Sequence, residues 1–266
     1  MKIFLLSFFF LPLFSNAQFT QIDFIPASVS PAFVVADGLN PFAFESNPSL
    51  LPGYKLFTAG VYSERKYLIN ELGAHRLSII APLSYGGVGV NVSYSGSSFF
   101  NQTGLQIGFG KSLGKIDIGT TFGYQKSTAI GYGSMHSLSV GVGTNMILSP
   151  SLKLGIAVQH LPVVKSAFRP AVVFRSFLLS SFSESVVLAI EVIKVEDQPV
   201  NVCGAIQYKF LEKMLVRVAF ETAPISPLFS FGLRWKNLLT ILSFRYHMWL
   251  GVSPSMQIIY NKKNKE

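Results

Sequence analysis

Apolar and small or polar residues alternate with a period of two through most of the chain. In the run GGVGVNVSYSG, Val88, Val90, Val92 and Tyr94 fall on one side, and Gly89, Asn91, Ser93 and Ser95 on the other. In KIDIGTTFGYQ, Ile116, Ile118, Thr120, Phe122 and Tyr124 oppose Asp117, Gly119, Thr121, Gly123 and Gln125, and HSLSVGVGTN repeats the pattern. Successive side chains of a β-strand point to opposite faces, so each run predicts a strand with one apolar and one polar face. Fourteen such segments can be drawn: 55–64, 72–81, 86–96, 102–112, 115–126, 135–148, 151–161, 169–177, 185–194, 199–210, 213–222, 227–236, 238–249 and 254–261. SLGK, LSPS, FLEK and KNL read as tight turns between them, whereas ERKYLINE, SGSSFFNQ, KSTAIGYGS, HLPVVKSAFR, KVEDQP, TAPISP and MWLGVSP read as longer loops. Short turns at one end and longer loops at the other are the habit of outer-membrane barrels.

The ends of the chain break this pattern. Residues 1–17 join Lys2, the apolar run Ile3 to Phe14 and the small-residue ending Ser15-Asn16-Ala17, which reads as a cleaved export signal. Residues 18–52 are rich in Pro, Ala, Asn and Phe without sustained alternation. Leaving Phe19, Phe24, Phe33, Phe42 and Phe44 in water is costly, so the segment is expected to plug the barrel formed by residues 53–261. Residues 262–266 form a basic tail, placed with the N-terminus in the periplasm because an even strand count returns the chain to its starting side.

Composition moves the same reading toward lipid. Only 13% of residues are charged and 49% are hydrophobic, against about a quarter charged in soluble domains. Between Leu77 and Gly110 there is no Asp, Glu, Lys or Arg, yet recurring Gly, Ser and Asn exclude a spanning helix. A closed barrel is the other way to satisfy the backbone in hydrocarbon. The expected fold is therefore an all-β, antiparallel transmembrane barrel of about fourteen strands with an N-terminal hatch segment, in a bacterial outer membrane. Cys203 stands alone, so it forms no internal disulfide.

The stretch NPFAFESNPSLLPG places Asn47, Pro48 and Ser49 before Leu50 and Leu51, just ahead of the first strand. It resembles the Asn-Pro-Ala hatch motif of FadL-like outer-membrane transporters, with Ser49 in place of the usual Ala. VYSERKYLINELG, KSLGKIDIGTTFGY and EVIKVEDQPVNVCGAIQYKF look like stretches of the PorV/PorQ branch of that superfamily, known from type IX secretion in Bacteroidota. The resemblance implies fourteen strands around an N-terminal hatch and does not imply one substrate.

By the alternation, Arg76, Asp117, Lys153, Arg175, Glu191, Lys209, Arg217, Glu221, Arg234 and Arg245 point into the lumen. Inward charge is either an internal ion-pair network filling a narrow barrel or a conduit or docking surface for an anion. His247 shares a face with Arg245 and Ser243, but no Gly-x-Ser-x-Gly elbow or telling acid accompanies them, so no catalytic residue is assigned. Glu196 and Asp197 read as a solvated turn, and Glu64, Arg65, Lys66 and Glu71 as a hydrated rim. The four His and one Cys are scattered, so neither a metal site nor a cofactor is expected. Trp235, Trp249, Tyr246, Tyr94 and Tyr124 fall near strand ends, where amphipathic rings suit the headgroup region. The basic residues are spread across strands, which argues against nucleic acid.

These features give two readings of function, neither enzymatic. The first is a PorV/FadL-like component or partner of an outer-membrane protein complex, of the type IX secretion kind. The alternative is a passive transporter of hydrophobic or amphipathic small molecules, which calls for a hydrophobic pocket above the hatch or a lateral gap in the wall. Outer-membrane lipid surrounds the barrel in both.

Overall fold

Fourteen antiparallel strands close into a barrel in the computed structural model, which describes residues 40–163, 170–211 and 213–262. The expected export signal and residues 18–39 of the expected plug lie outside the described residues, as do the basic tail beyond Lys262 and most of the HLPVVKSAFR loop. In chain order the strands are β1 (Thr58–Arg65), β2 (Gly73–Leu83), β3 (Gly86–Gly96), β4 (Phe100–Ser112), β5 (Ile116–Ala129), β6 (Gly133–Ser149) and β7 (Leu152–Pro162). They continue with β8 (Val173–Ser181), β9 (Val186–Val195), β10 (Asn201–Phe210), β11 (Met214–Thr222), β12 (Ile225–Trp235), β13 (Leu238–His247) and β14 (Gly251–Asn261). Each strand pairs with its sequence neighbours, and β14 returns to β1 with Thr58 opposite Asn261, so no edge is left open.

The strand count agrees with the alternation, and β3 matches it to the residue. The loops are shorter than expected. KSTAIGYGS contracts to residues 130–132, SGSSFFNQ to 97–99, TAPISP to 223–224 and MWLGVSP to 248–250, because the Ser and Gly of these runs continue the ladders. Longer connections remain only at 66–72, 163–172 and 196–200, all at one end, called here the loop end. The opposite turn end carries links of two to four residues.

The outward positions are apolar and exposed along every strand, for example Val90 and Val92 on β3 or Phe220 on β11. A continuous surface of this kind is stable against lipid and not against water. Among the described residues, no helix is long and apolar enough to cross a membrane.

The inward face is less uniformly polar than the alternation implies. Phe177, Leu179, Val187, Ala189, Cys203, Ala205, Ala219 and Leu228 form one apolar cluster inside β8–β12, with Leu50 packed on it. Leu215, Leu239, Ile241 and Ile259 form a second. One half of the barrel is thus packed by its own side chains. The other half receives the segment ahead of β1.

Candidate functional site: the inner segment and the chamber above it

Residues 40–53 lie inside the wall formed by β1–β7. They comprise α1 (Ala43–Ser46) and a 3-10 turn, Pro48–Gly53. Phe42, Phe44 and Leu51 are fully buried, Phe42 against Tyr62 and the other two against Tyr54 and Ile80.

The local sequence explains how the segment turns. Asn47 caps the 3-10 turn: its Oδ1 accepts from Ser49 N at 3.0 Å and from Ser49 Oγ at 2.6 Å. Pro48 follows at the first position, where a missing N–H leaves nothing unsatisfied. Ser49 is fully buried, and its hydroxyl is satisfied through Asn47. The Asn47 amide then ties the segment to the wall, donating to Thr144 O on β6 at 3.2 Å and to Ile156 O on β7 at 3.5 Å. Gln159 Nε2 donates to Ser46 O, Ser78 Oγ to Pro41 O, and Gln257 Nε2 to Asn40 Oδ1.

The wall is shaped for this contact by glycine. A Cβ at Gly119 would stand 2.4 Å from Pro48 C and 2.6 Å from Ser49 N. At Gly110 it would stand 2.7 Å from Pro48 O, and at Gly143 2.1 Å from Asn47 Oδ1. Gly89 and Gly108 likewise leave room for the Phe44 ring. Glycines that read only as small lumen residues are therefore the seat of residues 40–53.

The ten charges expected inside all lie on the buried parity of their strands, but at different levels. Asp117, Lys153, Lys209 and Arg234 stand near the turn end, where Asp117 Oδ2 accepts from Asn145 Nδ2 at 3.2 Å. Arg217 is almost completely buried and donates twice to Gln207 Oε1, at 2.8 and 3.2 Å. Arg175 and Glu191 pair at 2.9 Å, with side chains 2% and 0% exposed. Arg245 and Glu221 approach to 3.8 Å nearer the loop end.

Arg76 pairs with Glu45 of α1, which also accepts from Asn91 Nδ2. Glu45 belongs to this constellation although its surroundings carry no strand periodicity; its proximity to the resembling Asn-Pro-Ser run is the only signal.

Glu64 is 4% exposed and accepts from Tyr62 OH at 3.0 Å, so it is not the hydrated rim residue expected. The alternation carried on from Tyr62 turns it inward. Lys66 follows it in a loop that folds back onto β14, with Tyr67 N donating to Ser253 Oγ at 2.9 Å. Burial pushes the Lys66 ammonium down to about 8, against the opposing attraction of Glu64. His247 is occupied with structure, its Nδ1 accepting from Trp249 N at 3.2 Å and Leu250 N at 3.3 Å. Glu196 accepts from Val172 N, just ahead of β8, at 3.3 Å. Among the described residues, no group of three His, Cys, Asp or Glu is placed to hold a metal ion.

Above α1, toward the loop end, a cavity of about 120 Å³ opens between β2 and β8. Glu45 and Ser46 floor it, and Ser95 and Gln102 reach its upper edge. Its lining mixes carboxamides and hydroxyls with apolar surface, so it is not the purely hydrophobic pocket expected of a transporter. An apolar groove of about 510 Å³, lined by Val61, Leu77, Val92, Met256 and Ile258, lies on the outer face beside it. The two share Arg76, Ser93, Tyr94 and Thr103, but the β1–β2, β2–β3 and β3–β4 ladders between them are continuous, so the wall has no lateral gap there.

No family model matches this chain, and no curated protein matches it in sequence. Solved structures do match its fold. The Ralstonia pickettii toluene transporter TbuX superposes with a TM-score of 0.66 at 10% identity, over 90% of this chain and 98% of that one. The CymD monoaromatic hydrocarbon channel gives 0.63 at 12%, over 86% and 94%. The Pseudomonas putida toluene transporter TodX gives 0.56 at 12%, over 82% and 91%. The likeness is one of fold: this chain shares its closed barrel with these three proteins.

Proposed function

We propose that this chain is a passive outer-membrane channel for small hydrophobic or amphipathic molecules, with residues 40–53 as its hatch. The observation that carries the reading is a chamber standing directly on a separate inner segment, in a barrel whose fold is shared with channels for hydrocarbons. In this reading the loop end faces outward and the turn end, where β1 begins and β14 finishes, faces the periplasm. A solute enters the chamber from the loop end and leaves when Asn47 releases Thr144 and Ile156. No chemistry is required, so the chain needs no catalytic residue or cofactor.

The test is uptake of radiolabelled toluene and benzyl alcohol by cells with an intact lipopolysaccharide leaflet, with and without the full chain. Initial uptake of benzyl alcohol, of toluene or of both rises several-fold in the presence of the chain. With the barrel present and folded, uptake of both solutes left unchanged by the chain overturns the proposal.

A second reading is favoured by the loop end itself. Phe99, Tyr132 and Trp249 are 71%, 85% and 85% exposed at hairpin tips, and β4–β6 run to 13–17 residues, beyond the roughly 9–11 that span a bilayer. Apolar tips carried past the membrane suit a partner in an outer-membrane protein complex, the PorV-like role. Extraction in mild detergent followed by native mass spectrometry yields a defined hetero-complex if this holds; recovery only as a free monomer removes it.

A further inference from the structure

The chamber above α1 is lined by groups that discriminate among solutes. Its inner walls carry Asn91, Ser93, Gln102, Gln106, Gln125 and Ser139, beside apolar surface to which Ala74, Tyr94, Leu105 and Tyr124 contribute. Carboxamides and hydroxyls both donate and accept, and they rotate to suit an occupant. The charges at its edge are matched: Arg76 by Glu45 and Arg175 by Glu191. Among the described residues these pairs leave no net charge to receive an anion or a cation, and an ion entering a partly buried site loses several kcal/mol of hydration. A hydrocarbon also fits badly, since each carboxamide it strips of water costs about 1–3 kcal/mol with nothing returned.

One atom indicates what does fit. Asn91 is 4% exposed and gives its Nδ2 to Glu45, while its Oδ1 is buried with no hydrogen-bond partner among the described residues. Turned toward the chamber that Asn91 lines, that acceptor takes a donor from an occupant. Size limits the occupant further, because about 120 Å³ is less than the roughly 150 Å³ cavity known to hold benzene. The chamber takes the polar end of a small molecule and leaves a ring or chain toward its open side.

We infer that this chamber binds the neutral hydroxyl- or amide-bearing end of a small amphipathic molecule and selects against carboxylates, ammonium ions and plain hydrocarbons. The inference rests on the reading of the lumen as a conduit and narrows its cargo.

The full chain, labelled with 15N-glutamine and held in detergent, provides the test. Side-chain amide signals of Gln102, Gln106 and Gln125, assigned through Gln→Met variants at each, are followed during titration with benzyl alcohol, benzoate, benzylammonium or toluene. Benzyl alcohol shifts these signals saturably and binds about tenfold or more tighter than the other three, the equivalent of one hydrogen bond. Gly123→Leu abolishes the shifts in a folded barrel, because a side chain at 123 displaces only the Ser139 hydroxyl, 2.9 Å from its Cβ, and grows into the chamber. Gln106→Met weakens binding without closing the space. Equal binding of benzoate or toluene, the absence of any saturable shift, or shifts that survive Gly123→Leu overturn the inference. Saturable shifts without uptake by cells remove the transport reading alone; uptake without such shifts removes only this one.

Discussion

Replacing Glu191 with Leu lowers the stability of the barrel by about 3–5 kcal/mol, and replacing Arg175 at the same time returns most of that loss. Glu191 and Arg175 face one another at 2.9 Å with side chains 0% and 2% exposed. Burying either charge alone carries a desolvation penalty that its partner no longer offsets, which is why a broken buried pair costs about 3–5 kcal/mol. A pair replaced by packed apolar residues of similar volume is often neutral, so Arg175→Met with Glu191→Leu recovers the stability that Glu191→Leu loses. Phe177 and Ala189 of the adjoining apolar cluster stand next to these positions along β8 and β9 and provide the packing. The looser Arg245–Glu221 pair, at 3.8 Å and 18% and 11% exposed, is the internal control: Glu221→Leu costs less. Urea midpoints in detergent, read by tryptophan fluorescence and by the mobility of the folded barrel on unheated gels, measure the three variants against the parent. A Glu191→Leu midpoint equal to that of the parent removes the buried pair from any account of stability.

The closed order of fourteen strands is legible in the chain because one face of each strand meets lipid, and lipid enforces an apolar residue at every second position. Where the other face is apolar too, that signal fails. The strand expected at 169–177 runs instead over Val173–Ser181, since Phe174 and Leu178 face out while Phe177 and Leu179 pack inside, and neither parity stands out. Period two gives facing but not height along the strand, so it placed ten charges inside without separating the level of Lys209 from that of Arg245. It also gives no information on residues 40–53, which have no repeat of their own. Their seat is written in the wall rather than in the segment: Gly119 and Gly143 read as small lumen residues, and Gly110 draws no attention, until the backbone they receive is known. The ion pair of Glu45 with Arg76 joins elements with no shared pattern, and only the three-dimensional arrangement brings them together.

The triple variant Asn47→Ala/Gly110→Val/Gly119→Val opens the barrel to ions, whereas Asn47→Ala alone does not. Full burial of Phe42, Phe44 and Leu51 holds the inner segment with roughly 5–9 kcal/mol, at about 1.5–3 for each side chain. Removing the Asn47 side chain leaves buried groups around Ser49, Thr144 and Ile156 without it, a loss of about 1–3 kcal/mol, so the apolar contacts still win and the single variant stays closed. Valine at 119 and 110 acts on the same balance from the wall. Its Cβ meets Pro48 backbone at 2.4 and 2.7 Å, and no rotamer change moves a backbone atom aside. Overpacking of this kind costs about 1–3 kcal/mol at each site, which brings the summed perturbation to the scale of the apolar anchorage. Valine suits a strand, so the wall itself is not the weak point. Once residues 40–53 leave, the β1–β7 half of the lumen is joined to the chamber above it, while the apolar clusters of β8–β14 keep the other half filled. Planar-bilayer recording therefore gives frequent, partial-bore openings for the triple variant and a quiet trace for Asn47→Ala. A triple variant as silent as the parent, with the barrel folded, means that the inner segment is not what closes this lumen.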